Sequence, residues 1–213
     1  MASPLRVVRF AVWAVAASFA STVDAQTLVR LDDPSGSEAG RRAAVLCSEA
    51  AVMPPGAAAL DRLGQALALA EVALLANPLD AKANFAVFCS IGRRVEIEGV
   101  GLFGLKSLPR LRQAIEYALE SEPNFLEALI AKGMLLVRLP WLLGGDSDEG
   151  SELIHRAVAL DSNSVEAHLA LGQALADQGE TALAARATGQ ARALAARRSR
   201  MVVVPLQVAA KQG

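Results

Sequence analysis

The sequence predicts an all-α protein, and three observations indicate that fold class. First, 53% of the 213 residues are hydrophobic but only 4% are aromatic. Such a composition, supplied largely by Ala and Leu, favours closely packed helices over a β-sandwich. Second, apolar residues recur at steps of three and four, which is the spacing of one buried helix face. Third, prolines and glycines that stop helices separate these stretches.

The individual helices follow from these signals. The clearest is predicted at residues 57–76, where Leu60, Leu63 and Leu67 share one face and Asn77-Pro78 ends the helix. The others are predicted at 37–51, 79–94, 107–121, 124–138, 148–160, 163–177 and 180–198. The glycine-rich stretch 99–104 is predicted to be a loop, residues 26–36 a flexible segment, and residues 199–213 a C-terminal tail of unassigned structure.

Residues 1–25 have the layout of a secretory signal peptide. Arg6 and Arg9 precede an apolar run over 10–20, and small residues lead up to Ala25. We therefore predict export with cleavage after Ala25, since the apolar run is short for a membrane span. The alternative is an N-terminal anchor that is retained.

The two cysteines, Cys47 and Cys89, both lie in apolar helical contexts. An oxidising compartment would allow them to form a disulfide. Two separate buried thiols, each packed as a small hydrophobic side chain, are the alternative. The sequence leaves this choice open, because it does not reveal the distance between the two Cα atoms.

Repeated spacings indicate a repeat protein. Residues 73–78, 118–123 and 157–162 align without gaps, and a trio spaced as Ala128, Gly133 and Leu136 recurs at Ala167, Gly172 and Leu175. This pattern resembles the tetratricopeptide repeat. The resemblance implies a right-handed superhelix of about four stacked antiparallel helix pairs over residues 37–198, with insertions near 99–104 and 139–146. The small residues at the aligned positions would let neighbouring helices approach.

The second insertion carries a closer resemblance. Its sequence, Pro140-Trp141-Leu142-Leu143-Gly144-Gly145-Asp146, is similar to a loop of exported bacterial tetratricopeptide proteins and of the periplasmic T component of TRAP-type transporters. The resemblance to exported tetratricopeptide proteins implies a periplasmic scaffold that binds a protein or peptide. The resemblance to the T component implies an accessory protein of a transport system that binds a small, apolar ligand. We also expect the Trp141 ring to pack on neighbouring helices, which would offset the cost of ordering the loop.

The repeat resemblance also implies where a partner would bind. The first helix of each pair lines a concave groove, and its inward positions predict an apolar floor with an acidic rim at Glu127 and Glu166. Such a groove suits an apolar helix or an acyl-like group. The alternative is that these side chains are buried core. The predicted groove residues are Lys82, Phe85, Cys89, Glu127, Ile130, Met134, Glu166, Leu169 and Gln173.

Other motifs are better explained by structure than by chemistry. The motif Gly99-x-Gly101-x-x-Gly104 lacks the preceding strand of a dinucleotide site. The run 144–149 lacks the ligand spacing of a calcium loop, and Asp146 or Asp148 is predicted to cap a helix. Glu152 and His155 lack the second pair of a bundle metal site. We therefore expect no enzyme, no cofactor and no metal.

Charge excludes one further class of partner. The formal net charge is −1, so no strong field attracts nucleic acid. The basic run 197–200 suits the C-terminal end of a helix, where cations interact with the helix dipole. It is too short to be a strong membrane signal in the mature chain.

Overall fold

The all-α fold class is confirmed. The computed structural model describes Thr27, Arg30, Leu31 and residues 33–99 and 101–210, and it contains helices and no strand within those residues. The described residues include eight α-helices and one 3-10 turn, in this order: α1 Glu38–Ala51, α2 Ala57–Ala76, α3 Ala81–Glu98, α4 Leu102–Ser121, α5 Leu126–Arg138, the 3-10 turn Trp141–Leu143, α6 Ser147–Leu160, α7 Val165–Asp177 and α8 Thr181–Ala210. The predicted signal peptide lies outside the described residues.

The chain divides into two compact units, an N-terminal unit up to Glu122 and a C-terminal unit from Pro123 onward. In the N-terminal unit, α1 to α4 pack in consecutive pairs, and α1 also packs on α3. In the C-terminal unit, α5 to α8 pack in consecutive pairs, and α5 also contacts α7. Within each unit, therefore, helices that begin successive pairs lie next to each other.

A disulfide joins α1 to α3 in the core of the N-terminal unit. The Sγ atoms of Cys47 and Cys89 are 2.01 Å apart, and their Cα atoms are 6.2 Å apart. Cys47 is fully buried in a cluster with Ala50, Leu63 and Ala66. The cysteines are therefore paired, and the bond joins α1 to α3 through two residues that are 42 positions apart in sequence.

In the C-terminal unit, glycines allow close helix crossings. A Cβ on Gly133 of α5 would lie only 2.7 Å from the Gly150 carbonyl oxygen of α6. A Cβ on Gly150 would in turn lie 2.7 Å from the Gly133 carbonyl oxygen. A Cβ on Gly172 of α7 would lie 2.5 Å from Thr188 Oγ1 of α8. The prediction that Gly133 and Gly172 let a neighbouring helix approach is confirmed.

The predicted glycine-rich loop at 99–104 is wrong over its second half, where residues 102–104 are helical. Helix α3 continues to Glu98 and α4 begins at Leu102, so the connection is only three residues long. Gly99 makes the turn, with a φ of 93° that a residue with a side chain rarely adopts. The remaining residues of this predicted insertion lengthen α4 instead of forming a loop.

The structure also adds detail at the two ends of the domain. The C-terminal tail 199–213, whose structure the sequence left unassigned, is helical as far as Ala210, because α8 continues there without a break. Near the N-terminus, part of the predicted flexible segment is fixed: Asp33 forms an ion pair with Lys82 of α3, and Ser35 Oγ donates to Glu122 Oε2 at 3.4 Å. Within the described residues, no helix is both long and apolar enough to cross a membrane.

Candidate functional site

The apolar floor predicted for the groove is buried. Phe85 of α3 and Ile130 and Met134 of α5 are each at most 8% exposed, so the prediction that they are accessible to a partner is wrong. Alanines and glycines bring the helices close enough to cover these side chains, as the Gly133–Gly150 crossing illustrates. These three residues belong to the core, which was the alternative that the sequence left open.

Lys82 is also buried, and it is the centre of a polar cluster in the N-terminal unit. It is only 1% exposed, and its Nζ lies 3.3 Å from Asp33 Oδ2 and 3.4 Å from Glu122 Oε2. Removing an ammonium group from water is costly unless carboxylates compensate for the lost hydration. The predicted role of Lys82 in a groove is therefore wrong; its charge serves to join the N-terminal segment to the end of α4.

Asp80, next to this cluster, organises the start of two helices. Its Oδ1 accepts from the Ala83 N–H at 2.9 Å and caps α3, while its Oδ2 accepts from the Ser37 N–H at 2.8 Å. Gly40 of α1 is packed directly against this carboxylate, and a Cβ there would lie 2.6 Å from Asp80 Oδ1. A single buried carboxylate thus fixes α1 against α3.

A shallow cleft of about 490 Å³ opens beside Asp80 and Glu122. Its walls offer hydroxyl, amide and carboxylate groups, which could bind a polar ligand through hydrogen bonds. The residues that line it are Ser35, Gly36, Ser37, Asn77, Leu79, Asp80, Ala81, Ser121 and Glu122. Two of its nearby charges, Glu122 and Lys82, are paired with each other.

The pKa of Asp33 predicts how this cluster responds to acid. Burial alone would raise that pKa, but hydrogen bonds from Ser35 and the charge of Lys82 outweigh burial and lower it below its ordinary value of 3.8. A lowered folded-state pKa stabilises the fold above pH 3.8, and this stabilisation is lost as the pH falls through the folded-state value. We expect Asp33→Asn to lose stability at pH 7 and to show a weaker acid dependence.

The test of Asp33→Asn is the urea midpoint of unfolding, measured at pH values from 7 to 2 with a spectroscopic probe in the N-terminal unit. Asp148→Asn is the control, because Asp148 is an exposed aspartate that lies in the other unit. Equal pH dependence in Asp33→Asn and the unsubstituted protein would contradict the stabilising role of this carboxylate.

The remaining predicted groove residues are half-buried. Cys89 is in the disulfide, whereas Glu127 lies on α5 and Glu166, Leu169 and Gln173 lie on α7. The helices that carry the last four contact each other within the C-terminal unit. We call the surface of Glu127, Glu166, Leu169 and Gln173 the α5–α7 face.

One residue that contacts this face was not predicted from the sequence. Arg138, in the last turn of α5, donates from Nη2 to Gln173 Oε1 of α7 at 3.0 Å. Its position alone suggested only a cation at a helix C-terminus. The contact with Gln173 depends on α5 and α7 lying next to each other, which the sequence does not encode locally.

The prediction that Trp141 packs on neighbouring helices is wrong. Trp141 is 78% exposed and Leu142 is 74% exposed. The turn is ordered by its backbone instead: the Leu143 N–H donates to the Pro140 carbonyl oxygen at 2.8 Å, and the Gly145 N–H donates to the same oxygen at 3.1 Å. Because these backbone hydrogen bonds order the turn, the turn does not depend on packing of the Trp141 ring.

The acidic run after this turn is a helix cap, as predicted. Asp146 Oδ1 accepts from the Asp148 and Glu149 N–H groups, each at 3.0 Å, at the start of α6. His155, considered above with Glu152, is exposed. Over the part of the chain that the structure describes, no group of three or more His, Cys, Asp or Glu residues is placed to hold a metal ion.

Comparison with known proteins assigns no family to the chain. No protein-family model matches the chain, and the search of curated proteins finds no match either. The resemblance to tetratricopeptide repeats therefore depends on the aligned residues and on the pairing of the helices.

Proposed function

We propose that the protein is an exported, non-catalytic scaffold that binds a protein or peptide partner through the α5–α7 face. The repeats would be of the tetratricopeptide type, stacked as a right-handed superhelix. In such repeats, the first helices of successive pairs lie next to each other and form one binding surface. The proposal does not require a chemical step by any residue of the chain.

The observation that carries this proposal is the contact between α5 and α7. It brings side chains separated by 35 residues, Arg138 and Gln173, within hydrogen-bonding distance. Leu169 adds apolar surface that is only half-buried, while Glu127 and Glu166 supply negative charge. A surface of this composition suits a peptide with an apolar side chain flanked by basic residues.

Export has two supports. The first 25 residues have the layout of a signal peptide, and the Cys47–Cys89 disulfide suits an oxidising compartment such as the bacterial periplasm. A cytosolic protein would hold such a pair as thiols. Sequencing the N-terminus of the exported protein tests the cleavage, which we expect after Ala25.

A photo-crosslinking amino acid at position 169 tests the binding face. We expect it to form an adduct with a polypeptide in intact cells of the native host. The control places the same amino acid at position 183 of α8, where Leu183 is 46% exposed but lies outside the face. An adduct at 183 and none at 169 would contradict the proposal.

The alternative function, an accessory protein for a small ligand, is favoured by the cleft of about 490 Å³ in the N-terminal unit. Its walls present polar and apolar surface in nearly equal amounts, and their hydroxyl, amide and carboxylate groups suit a ligand with polar groups, in contrast to the apolar ligand expected from the sequence. Native mass spectrometry of the protein purified from its own host distinguishes the two functions. A bound small molecule that is lost in Leu79→Trp, which fills the cleft, would support the alternative.

A further inference from the structure

The turn at residues 140–146 displays two large apolar side chains in solvent. Trp141 and Leu142 are 78% and 74% exposed, and Leu143 is 38% exposed. We call these three residues the WLL tip. Scattered apolar residues are normal on a protein surface, but three consecutive ones that include a tryptophan are not.

The backbone holds this tip in one conformation. The Gly144 N–H donates to the Trp141 carbonyl oxygen at 2.8 Å, and Gly144 has a φ of 75°. A Cβ on Gly145 would lie 1.7 Å from the Leu139 carbonyl oxygen, so only glycine fits there. The Asp146 N–H donates to the Leu136 carbonyl oxygen at 3.1 Å and ties the end of the turn to α5.

This construction orders the tip before any partner arrives. A tryptophan on a fixed backbone loses only side-chain freedom on binding, and large aromatic side chains contribute much of the energy at protein interfaces. The backbone hydrogen bonds of the turn do not depend on the identity of the Trp141 side chain. The exposed ring therefore adds nothing that the turn needs, and its placement suits contact with another molecule.

The charge around the tip selects the kind of partner. Residues 139–152 contain four acidic residues and no basic one: Asp146, Asp148, Glu149 and Glu152. Lys132 Nζ offsets one of them, since it lies 3.1 Å from Glu149 Oε1. The surplus of negative charge repels anionic lipid and attracts a surface that carries Lys and Arg.

We propose that the WLL tip is a second docking site, separate from the α5–α7 face, and that it inserts into an apolar pocket of a partner protein whose rim is basic. Trp141 and Leu142 fill the pocket, while Asp148 and Glu152 face the basic rim. The acidic side chains steer the encounter, and burial of the indole ring holds the complex together.

The experiment uses the full chain in its native host, with a photo-crosslinking amino acid at position 147. Ser147 is exposed, follows the WLL tip and lies next to Asp146 and Asp148, so the substitution leaves the tip and the acidic residues intact. The control position is again 183. We expect a polypeptide adduct at 147 that is absent at 183, and the recovered partner is then purified for measurement of its Kd.

The variants then separate a docking role from mere proximity. We expect Trp141→Ser to weaken binding about 30-fold, the loss typical of a buried aromatic anchor, with an unchanged unfolding midpoint. Leu142→Ser is a second variant with the same expected direction. Asp148→Lys combined with Glu152→Lys should slow association, and the difference should shrink as NaCl rises.

Fluorescence distinguishes a protein partner from a membrane. The chain has two tryptophans, Trp13 and Trp141, and the predicted cleavage after Ala25 removes Trp13, so Trp141 is the sole tryptophan emitter of the exported protein. We expect its emission to shift to shorter wavelength with the partner and not with vesicles of phosphatidylcholine, alone or mixed with phosphatidylglycerol. An emission shift with vesicles alone would overturn the proposal, and so would a crosslinked adduct with a second copy of the chain. The absence of any polypeptide adduct at 147 would also overturn it, as would Trp141→Ser and Leu142→Ser variants that bind the partner as tightly as the unsubstituted protein.

Discussion

Removal of the Cys47–Cys89 disulfide is expected to lower the free energy of unfolding of the N-terminal unit by about 4 kcal/mol. The bond closes a loop of 42 residues, and a crosslink of that length removes much of the conformational freedom of the unfolded chain. The loss is a large fraction of the stability of a typical domain. It should be confined to the unit that contains α1 and α3.

The measurement is a urea titration of Cys47→Ala/Cys89→Ala, with hydrogen exchange of amides in each unit as the local probe. Wild-type protein treated with a reducing agent should behave like the double variant, which separates loss of the crosslink from loss of packing volume. Undiminished protection of α1 and α3 amides in both samples would show that the disulfide does not stabilise this unit.

Gly150→Ala is expected to destabilise the C-terminal unit by about 3 kcal/mol. Its new Cβ would lie 2.7 Å from the Gly133 carbonyl oxygen and 2.8 Å from Val137 Cγ2, so α5 and α6 must move apart. Backbone atoms cannot rotate away as a flexible side chain would, and overpacking of this kind costs about 1–3 kcal/mol. We expect the upper end of that range, because a helix crossing depends on the contact.

The matched control is Gly189→Ala in α8, where a Cβ would meet no atom within 4 Å. That variant should be stabilised by up to about 1 kcal/mol, since alanine is the better helix former. Thermal and urea unfolding of both variants give the comparison. If Gly150→Ala proves as stable as Gly189→Ala, α5 and α6 do not cross closely in solution.

Several features were predictable because they depend on neighbours in sequence. The spacing of Leu60, Leu63 and Leu67 identified α2, and the aspartate before α6 was recognised as a cap because its partners are two and three residues away. The aligned glycines identified helix contacts, since few other roles in a helix interior require the absence of a side chain. The pairing of the cysteines was left open, because their distance is a tertiary quantity.

The candidate site was predicted only in part. Glu127, Glu166, Leu169 and Gln173 remain partly accessible, whereas Met134 and its buried neighbours were assigned to a groove from positions in an idealised repeat. The sequence cannot show how closely helices approach, and a small difference in that distance decides whether an apolar side chain is surface or core. Arg138 was missed for the same reason.

The sequence by itself determined the helical class, most helix boundaries, the cap at Asp146 and the close helix approach at Gly133, because each depends on local spacing or on a residue without a side chain. Only the tertiary structure decided that Lys82 is buried between two carboxylates, that Cys47 meets Cys89 and that Trp141 faces solvent. Each of these outcomes depends on which distant segment lies opposite the residue. Packing between distant segments decides which residues meet, and the periodicity of a single helix contains no information about those contacts.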